Sequence, residues 1–350
     1  MIKVLIADDS ALMRKMLKKI LTTDPEIDVV ATARDGNDVV QKARELIPDV
    51  ITMDINMPGL DGITALQYIV NERICPVVMV SSLTQEGAAT TFEALELGAF
   101  DYIAKPGGTV SSNLELVSGE LIDKVKTAAR LKERGKVTER LARDKHKKSR
   151  SPKAGNTRGK ITKAVAMGIS TGGPKVIYEV LPLLPADINA IMFMVQHMPA
   201  NFTSTYVKRL NQSCQIEVVE ARAGMKVEPG VLYVGSGGRH LTLVKNTMGD
   251  VMLRLPSKPE HLFIPSVSIM MQSVLNVYGD KTVGVIMTGM GSDGADAMVN
   301  IRQAGGVTIA ESEESAIVFG MPGETVKRGG AAVVTPIWNI AREIMRAVNN

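Results

Sequence analysis

Residues 164–173 read Ala164-Val-Ala-Met-Gly-Ile-Ser-Thr-Gly-Gly173, an apolar run that ends in a serine set among glycines. A run of this kind is a buried strand, and the small residues around Ser170 leave its hydroxyl uncovered at the strand end. The string Gly168-Ile-Ser170-Thr-Gly172 fits the elbow pattern in which a sharp strand-to-helix turn exposes a nucleophilic oxygen. The same residues also fit a glycine-rich turn that cradles a phosphate at a helix N-terminus. What the rest of the chain brings to that strand end decides between the two.

Outward from this stretch, strand-like runs recur at 190–196, 216–220, 231–234, 283–288, 306–310 and 331–335. Helical patterns lie between several of them, at 174–183, 202–211, 266–278 and 294–304. The first 110 residues alternate in the same way. Apolar runs at 4–7, 29–33, 50–53, 77–80 and 102–104 are separated by helical periods such as Leu12, Met16, Leu17 and Ile20, and residues 116–134 read as a final helix. Strands alternating with helices predict an α/β fold in each half: a five-stranded, doubly wound parallel sheet first, then a doubly wound domain with a mainly parallel sheet. Two domains also suit a chain of 350 residues.

Charge separates the halves. Between Lys124 and Lys163 there are sixteen Lys and Arg against three Asp and Glu, although the whole chain carries only +4. The stretch has no aromatic residue and no DNA-binding motif, so it reads as a solvated linker and not as a nucleic-acid surface. The predicted domains are 1–125, a linker over 126–160 whose first part prolongs the preceding helix, and 161–350. Two cysteines, Cys75 and Cys214, make no disulfide framework, no leader is visible, and no apolar stretch reaches membrane-spanning length. The expected location is the cytoplasm, with no membrane insertion.

In the first half, Asp8 and Asp9 end the first strand, Asp54 the third, Ser81 the fourth and Lys105 the fifth. Three carboxylates at one sheet edge repel one another unless a cation joins them, and an all-oxygen set of this kind suits Mg²⁺. Lys105 adds a positive charge and Ser81 a hydroxyl for a phosphoryl group. The pattern Asp8-Asp9-Ser10, Met53-Asp54, Met57-Pro58, Ser81 and Lys105-Pro106 resembles the response-regulator receiver domain, which is flavodoxin-like in fold. The resemblance implies that Asp54 takes phosphate from a histidine kinase, that Asp8 and Asp9 help hold Mg²⁺, and that Ser81 and Tyr102 register the phosphorylation.

In the second half, a nucleophilic Ser170 needs a histidine base and a carboxylate to orient that base. Of four histidines, His146 lies in the linker and His240 and His261 in less regular segments. His197 follows the apolar run 191–196, so it stands at a strand end; a structural histidine is the alternative. Asp293 sits in a glycine-spaced loop after the run at 283–288, where it orients a histidine or caps the next helix, with Asp296 as its nearest competitor. Gly289, Met290 and Gly291 are placed to aim backbone N–H groups at an oxyanion.

Residues 161–350 resemble the chemotaxis protein-glutamate methylesterase family, CheB. The matching strings are Gly168-Ile-Ser-Thr-Gly-Gly173, Val195-Gln-His-Met-Pro199, Thr288-Gly-Met-Gly-Ser-Asp-Gly294 and Val318-Phe-Gly-Met-Pro322. In the receiver half, Val78-Met-Val-Ser-Ser-Leu-Thr84 and Glu96-Leu-Gly-Ala99 share the family's variant. The resemblance implies a Ser170–His197–Asp293 triad, with Thr171 nearby and Met290 offering its N–H to the oxyanion. It also implies methyl-accepting chemoreceptors as substrates, hydrolysis of glutamate methyl esters and deamidation of glutamines, with no cofactor in this half. The chain departs from the family's usual residues at Ile264, Ser268 and Gly238, which concern substrate binding. The alternative reading is a catalytically weak, partner-binding regulator of a non-flagellar pathway.

Overall fold

The computed structural model describes residues 1–82, 84–105, 111–133 and 163–349. Pro106, Leu83, His146 and most of the expected linker lie outside the described residues. The chain divides into two compact units, 1–148 and 149–350, each taken by itself below.

The first unit alternates β1 (Ile2–Ala7), α1 (Ala11–Leu21), β2 (Ile27–Ala33), α2 (Gly36–Leu46), β3 (Val50–Asp54), α3 (Gly62–Asn71), β4 (Val77–Ser81), α4 (Gln85–Glu96), β5 (Asp101–Ala104) and α5 (Ser111–Glu133). The five strands pair in the order β2-β1-β3-β4-β5, every pair parallel. Both faces of the sheet are covered, so β3 and β4 are buried at every position. Helices start where a short polar side chain meets a free N–H: Ser10 accepts from Met13, Asp35 from Asp38, Asp61 from Thr64 and Thr84 from Gly87. The apolar stripe of α1 buries Leu17, Ile20 and Leu21. The last helix begins at Ser111, five residues earlier than its apolar pattern suggests.

The second unit is built on β6 (Lys163–Ile169), β7 (Ala190–Gln196), β8 (Glu217–Glu220), β9 (Val231–Val234), β12 (Thr282–Ile286), β13 (Val307–Glu311) and β14 (Val333–Thr335). These form one sheet in the order β14-β13-β12-β6-β7-β9-β8, again with every pair parallel. The helices around it are α6 (Gly173–Val176), α7 (Ala200–Ser213), α8 (Val267–Tyr278), α9 (Ala295–Gln303), α10 (Met321–Lys327) and α11 (Ile337–Asn349).

Two features differ from the sequence pattern. The helix expected over 174–183 is a single α turn followed by two 3₁₀ turns, Ile177–Glu179 and Leu181–Leu183. Pro182 has no N–H to give to a carbonyl four residues back, so an α-helix cannot run through it. A separate antiparallel hairpin, β10 (Thr242–Lys245) with β11 (Val251–Arg254), was not legible as a pair. The side chain of Asn246 closes its turn by accepting from the N–H groups of Met248 and Asp250, at 2.9 and 2.8 Å. Among the described residues, no helix is long and apolar enough to cross a membrane.

Candidate active site

In the larger sheet the winding reverses between β12 and β6, and ligands of open α/β sheets bind at the carboxyl ends of strands near such a point. Strands β12, β6 and β7 are neighbours there, and each sends one polar residue to that edge. Ser170 follows β6, its N–H donating to the carbonyl of Thr288 at 3.0 Å. His197 follows β7, its N–H donating to the carbonyl of Ile169 at 3.2 Å. Asp293 comes from the loop between β12 and α9. These anchors bring His197 Nδ1 to 3.0 Å from Ser170 Oγ and His197 Nε2 to 2.9 Å from Asp293 Oδ2. Ser170 and Asp293 are buried.

The turn at Ser170 is not the strained elbow that its sequence suggests. The left-handed residue is Gly172, at φ +78°, and Ser170 is not among the positive-φ positions. Gly168 has a different job: a Cβ there would run into the side chain of Val267, so glycine lets the start of α8 approach β6 closely. The Gln196 side-chain amide ties the two strand ends together, donating to the carbonyls of Ser170 at 3.0 Å and of His197 at 3.1 Å.

Asp293 is held by the first turn of α8. Its Oδ2 accepts from the Val267 N–H at 2.7 Å; its Oδ1 accepts from the Ser268 N–H and the Ser266 hydroxyl, each at 2.9 Å. A carboxylate at a helix N-terminus also gains from the helix dipole. Burial alone would raise the Asp293 carboxyl, but the bond and charge of His197 and the bonds from Ser268 outweigh it. The carboxyl is held well below the usual range. Asp293 does not cap α9, because the capping position is Gly294. The competitor Asp296 is exposed and paired with Arg328 at 2.7 Å. Neither His240 nor His261 bonds to Ser170.

One oxyanion expectation is corrected. The N–H of Gly289 is spent on the carbonyl of Val318 at 3.1 Å. Gly289 is nevertheless packed so closely that a Cβ there would lie 2.8 Å from the Ser170 Cβ. Among the described residues, the backbone N–H groups of Thr171 and Met290 donate to nothing. Thr171 is fixed through its carbonyl, which accepts from the Thr288 hydroxyl at 3.0 Å. The Thr288 N–H goes to the fully buried Glu311, at 2.8 Å.

Sequence reasoning missed the partners that arrive on the loop before α8 and on that helix's first turn. The ring of Phe263 lies flat on the His197 imidazole, with centroids 4.2 Å apart and planes 9° off parallel. Ser268, conspicuous only as a departure, supplies an N–H to Asp293, and its hydroxyl accepts from the Gly294 N–H at 2.7 Å.

The smaller sheet gathers charge at the same kind of place. Asp8 and Asp54 are buried and Asp9 is exposed, and carboxylate oxygens from all three lie within 4.8 Å of one another. Lys105 Nζ stands between two of them, 3.0 Å from Asp8 and 2.8 Å from Asp54. Burial pushes the Asp54 carboxyl up, Asp8 adds to the rise, and Lys105 opposes it. Burial would lower the Lys105 ammonium, yet its bonds to Asp54 and Asp8 hold it above its ordinary value. A compact set of oxygens with more negative charge than Lys105 neutralises fits Mg²⁺. Ser81 Oγ accepts from the Thr91 hydroxyl at 2.7 Å. Tyr102 is buried with its ring edge-on to Phe92 and the Lys124 ammonium 5.2 Å from its centre.

Comparison with known proteins matches both halves of the chain. The CheB methylesterase family model matches residues 165–344, and the response regulator receiver domain model matches residues 4–111. A Syntrophomonas wolfei protein named protein-glutamate methylesterase/protein-glutamine glutaminase 3 is 73% identical, with all of both chains covered.

The chain belongs to the CheB family.

A Pyrococcus horikoshii protein-glutamate methylesterase/protein-glutamine glutaminase is 40% identical over 99% of this chain and 94% of its own. The crystal structure of the Thermotoga maritima CheB methylesterase catalytic domain superposes with a TM-score of 0.52 at 35% identity. It covers 53% of this chain and 98% of that one. The family accounts for the joining of a receiver to a methylesterase/glutaminase domain in one chain.

Proposed function

We propose that, in this protein-glutamate methylesterase/protein-glutamine glutaminase, Ser170 is the nucleophile, His197 the general base and Asp293 the carboxylate that orients it. The observation that supports the reading is the unbroken line from Ser170 Oγ through both imidazole nitrogens to Asp293. Ser170 Oγ attacks the γ-carbonyl of a methylated glutamate on a chemoreceptor, and its proton passes to His197 Nδ1. Asp293 keeps the Nε2 proton in place and stabilises the imidazolium that forms. The tetrahedral oxyanion takes the open N–H groups of Thr171 and Met290. Collapse breaks the carbon–oxygen bond to the methoxy group, and His197 returns its proton so that methanol leaves. Water then gives a proton to His197 and adds to the acyl-Ser170 carbonyl, freeing glutamate and the serine. A receptor glutamine follows the same path with ammonia as the leaving group.

In the receiver, Asp54 accepts a phosphoryl group from a histidine kinase. Asp8, Asp9 and Asp54 would hold Mg²⁺, which supplies positive charge for the phosphoryl oxygens. Lys105 adds its own charge, and the Ser81 hydroxyl turns its hydrogen from the Gly87 carbonyl, 3.3 Å away, to the phosphate. Ser81 and Tyr102 then report the event to the rest of the chain, which acts in chemotactic adaptation. The test is methanol release from methyl-labelled receptor membranes, with and without a small phosphodonor and Mg²⁺. Release should depend on Ser170 and rise on phosphorylation only when Asp54 is present; release that survives S170A overturns the assignment.

A further inference from the structure

We infer that His240 is a positioning residue for the reaction, holding the Asp293 cradle through Ser266; this rests on the triad assigned above. His240 is completely buried in the turn after β9, and it does not touch the reacting atoms. Both of its ring nitrogens are used, and with fixed polarity. Nδ1 lies 3.2 Å from the backbone N–H of Ser266, which can only donate, so Nδ1 carries no proton. Nε2 lies 2.9 Å from the carbonyl of Pro259, which can only accept, so Nε2 carries the hydrogen. One neutral imidazole therefore grips the loop between β11 and α8 at two points. Backbone bonds reinforce it: the His240 N–H donates to Pro256 at 2.8 Å and the Gly238 N–H to Ile264 at 2.9 Å.

That loop and the first turn of α8 carry the missed partners of the site. Phe263 stacks on His197, and Ser266, Val267 and Ser268 supply every bond to Asp293 other than the one from His197. The bond from Ser266 to His240 Nδ1 fixes the peptide at the head of α8, and with it the direction of the Ser266 hydroxyl toward Asp293. Without an acceptor at Nδ1, a buried N–H loses its partner and the peptide turns to find another. Asp293 follows, and the imidazole it orients moves off the line to Ser170 Oγ. The inference also gives Gly238 and Ile264 a place: both lie in the clamp and not at the reacting centre.

Two variants separate this role from simple filling of space. In H240N the amide oxygen can take the place of Nδ1 and keep the bond from Ser266. In H240Q the amide reaches the place of Nε2, keeps Pro259 and abandons Ser266. Steady-state methanol release is measured on the intact, phosphorylated protein with methyl-labelled receptor membranes, alongside D293N. A misplacement on the order of 1 Å costs about a hundredfold in rate, so H240Q should lose about tenfold to a hundredfold in kcat with KM within about twofold. H240N should keep at least about a third of kcat. Equal losses in the two variants, or a wild-type kcat in H240Q, overturn the inference. Wild-type rates in D293N would instead overturn the triad on which it rests. Imidazole ¹⁵N spectra of the wild-type protein give a reading that no variant's folding can disturb. They should show His240 as the Nε2–H tautomer with an accepting Nδ1, and the opposite tautomer overturns the inference.

Discussion

Two parallel sheets in this chain put buried carboxylates at their switch points, and the two carboxylates behave in opposite ways. Asp54 is held above its ordinary range and Asp293 below it. Burial works against ionisation in both, so the difference lies in what faces each group. Asp293 receives two backbone N–H groups, a hydroxyl and an imidazole. Asp54 must share one ammonium with Asp8, whose like charge stands beside it. The Asp293 carboxylate is thus fully partnered, whereas the receiver edge is balanced only when positive charge arrives.

The largest effect expected from that contrast is on rate. D293N should lower methanol release by about 10⁴-fold, because the amide favours the wrong imidazole tautomer. D54N should instead remove the response to phosphodonor and Mg²⁺. A phosphodonor response that persists in D54N would break the contrast, as would a D293N enzyme with a normal rate.

Much of this was legible in the sequence because strand ends are. An apolar run followed by a polar residue places that residue at the sheet edge, which located Asp8, Asp54, Lys105, Ser170 and His197 without any tertiary information. Asp293 was less certain, since an aspartate before a helix is commonly a cap. In the structure the capping position is Gly294, and Asp296 pairs with Arg328. The support around the site was not legible at all. Phe263, Ser266 and His240 meet it through a long irregular loop, whose course has no period to read. Ser268 looked like a lost carboxylate, yet its contribution to Asp293 is a backbone N–H that residue identity does not reveal.

A smaller effect concerns the shortage at the receiver edge. Mg²⁺ at about a hundredfold over its Kd should stabilise the receiver by about 2–3 kcal/mol, read as a rise in its thermal midpoint. D8N should lose most of that gain, since it replaces a carboxylate by a neutral amide and so removes part of the excess charge. An undiminished Mg²⁺ response in D8N would show that the cluster does not hold the ion.

The smallest effect tests whether the second unit is satisfied everywhere. Lys175 carries a charge that is not: burial pulls its ammonium down to about 8, and among the described residues it has no ion pair. Its folded value lies below the unfolded one of 10.5, so between about 8 and 10.5 the unfolded chain binds more protons and stability rises with pH. K175M should therefore stabilise the protein by about 1–2 kcal/mol at pH 7, with partial solvent access moderating the gain, and by almost nothing above pH 10.5. Denaturant midpoints at pH 7 and near pH 10.5 check this; an equal gain at both would mean that the charge is not the cause.

The central claim is that Ser170, His197 and Asp293 act as one unit, and a double-mutant comparison of kcat for methanol release tests it most directly. Residues that share one proton relay do not lose activity independently. The account predicts that S170A/D293N on the phosphorylated, full-length protein is no more than about threefold slower than S170A alone. Losses that multiply, so that the double variant falls by the product of the two single ones, would contradict it.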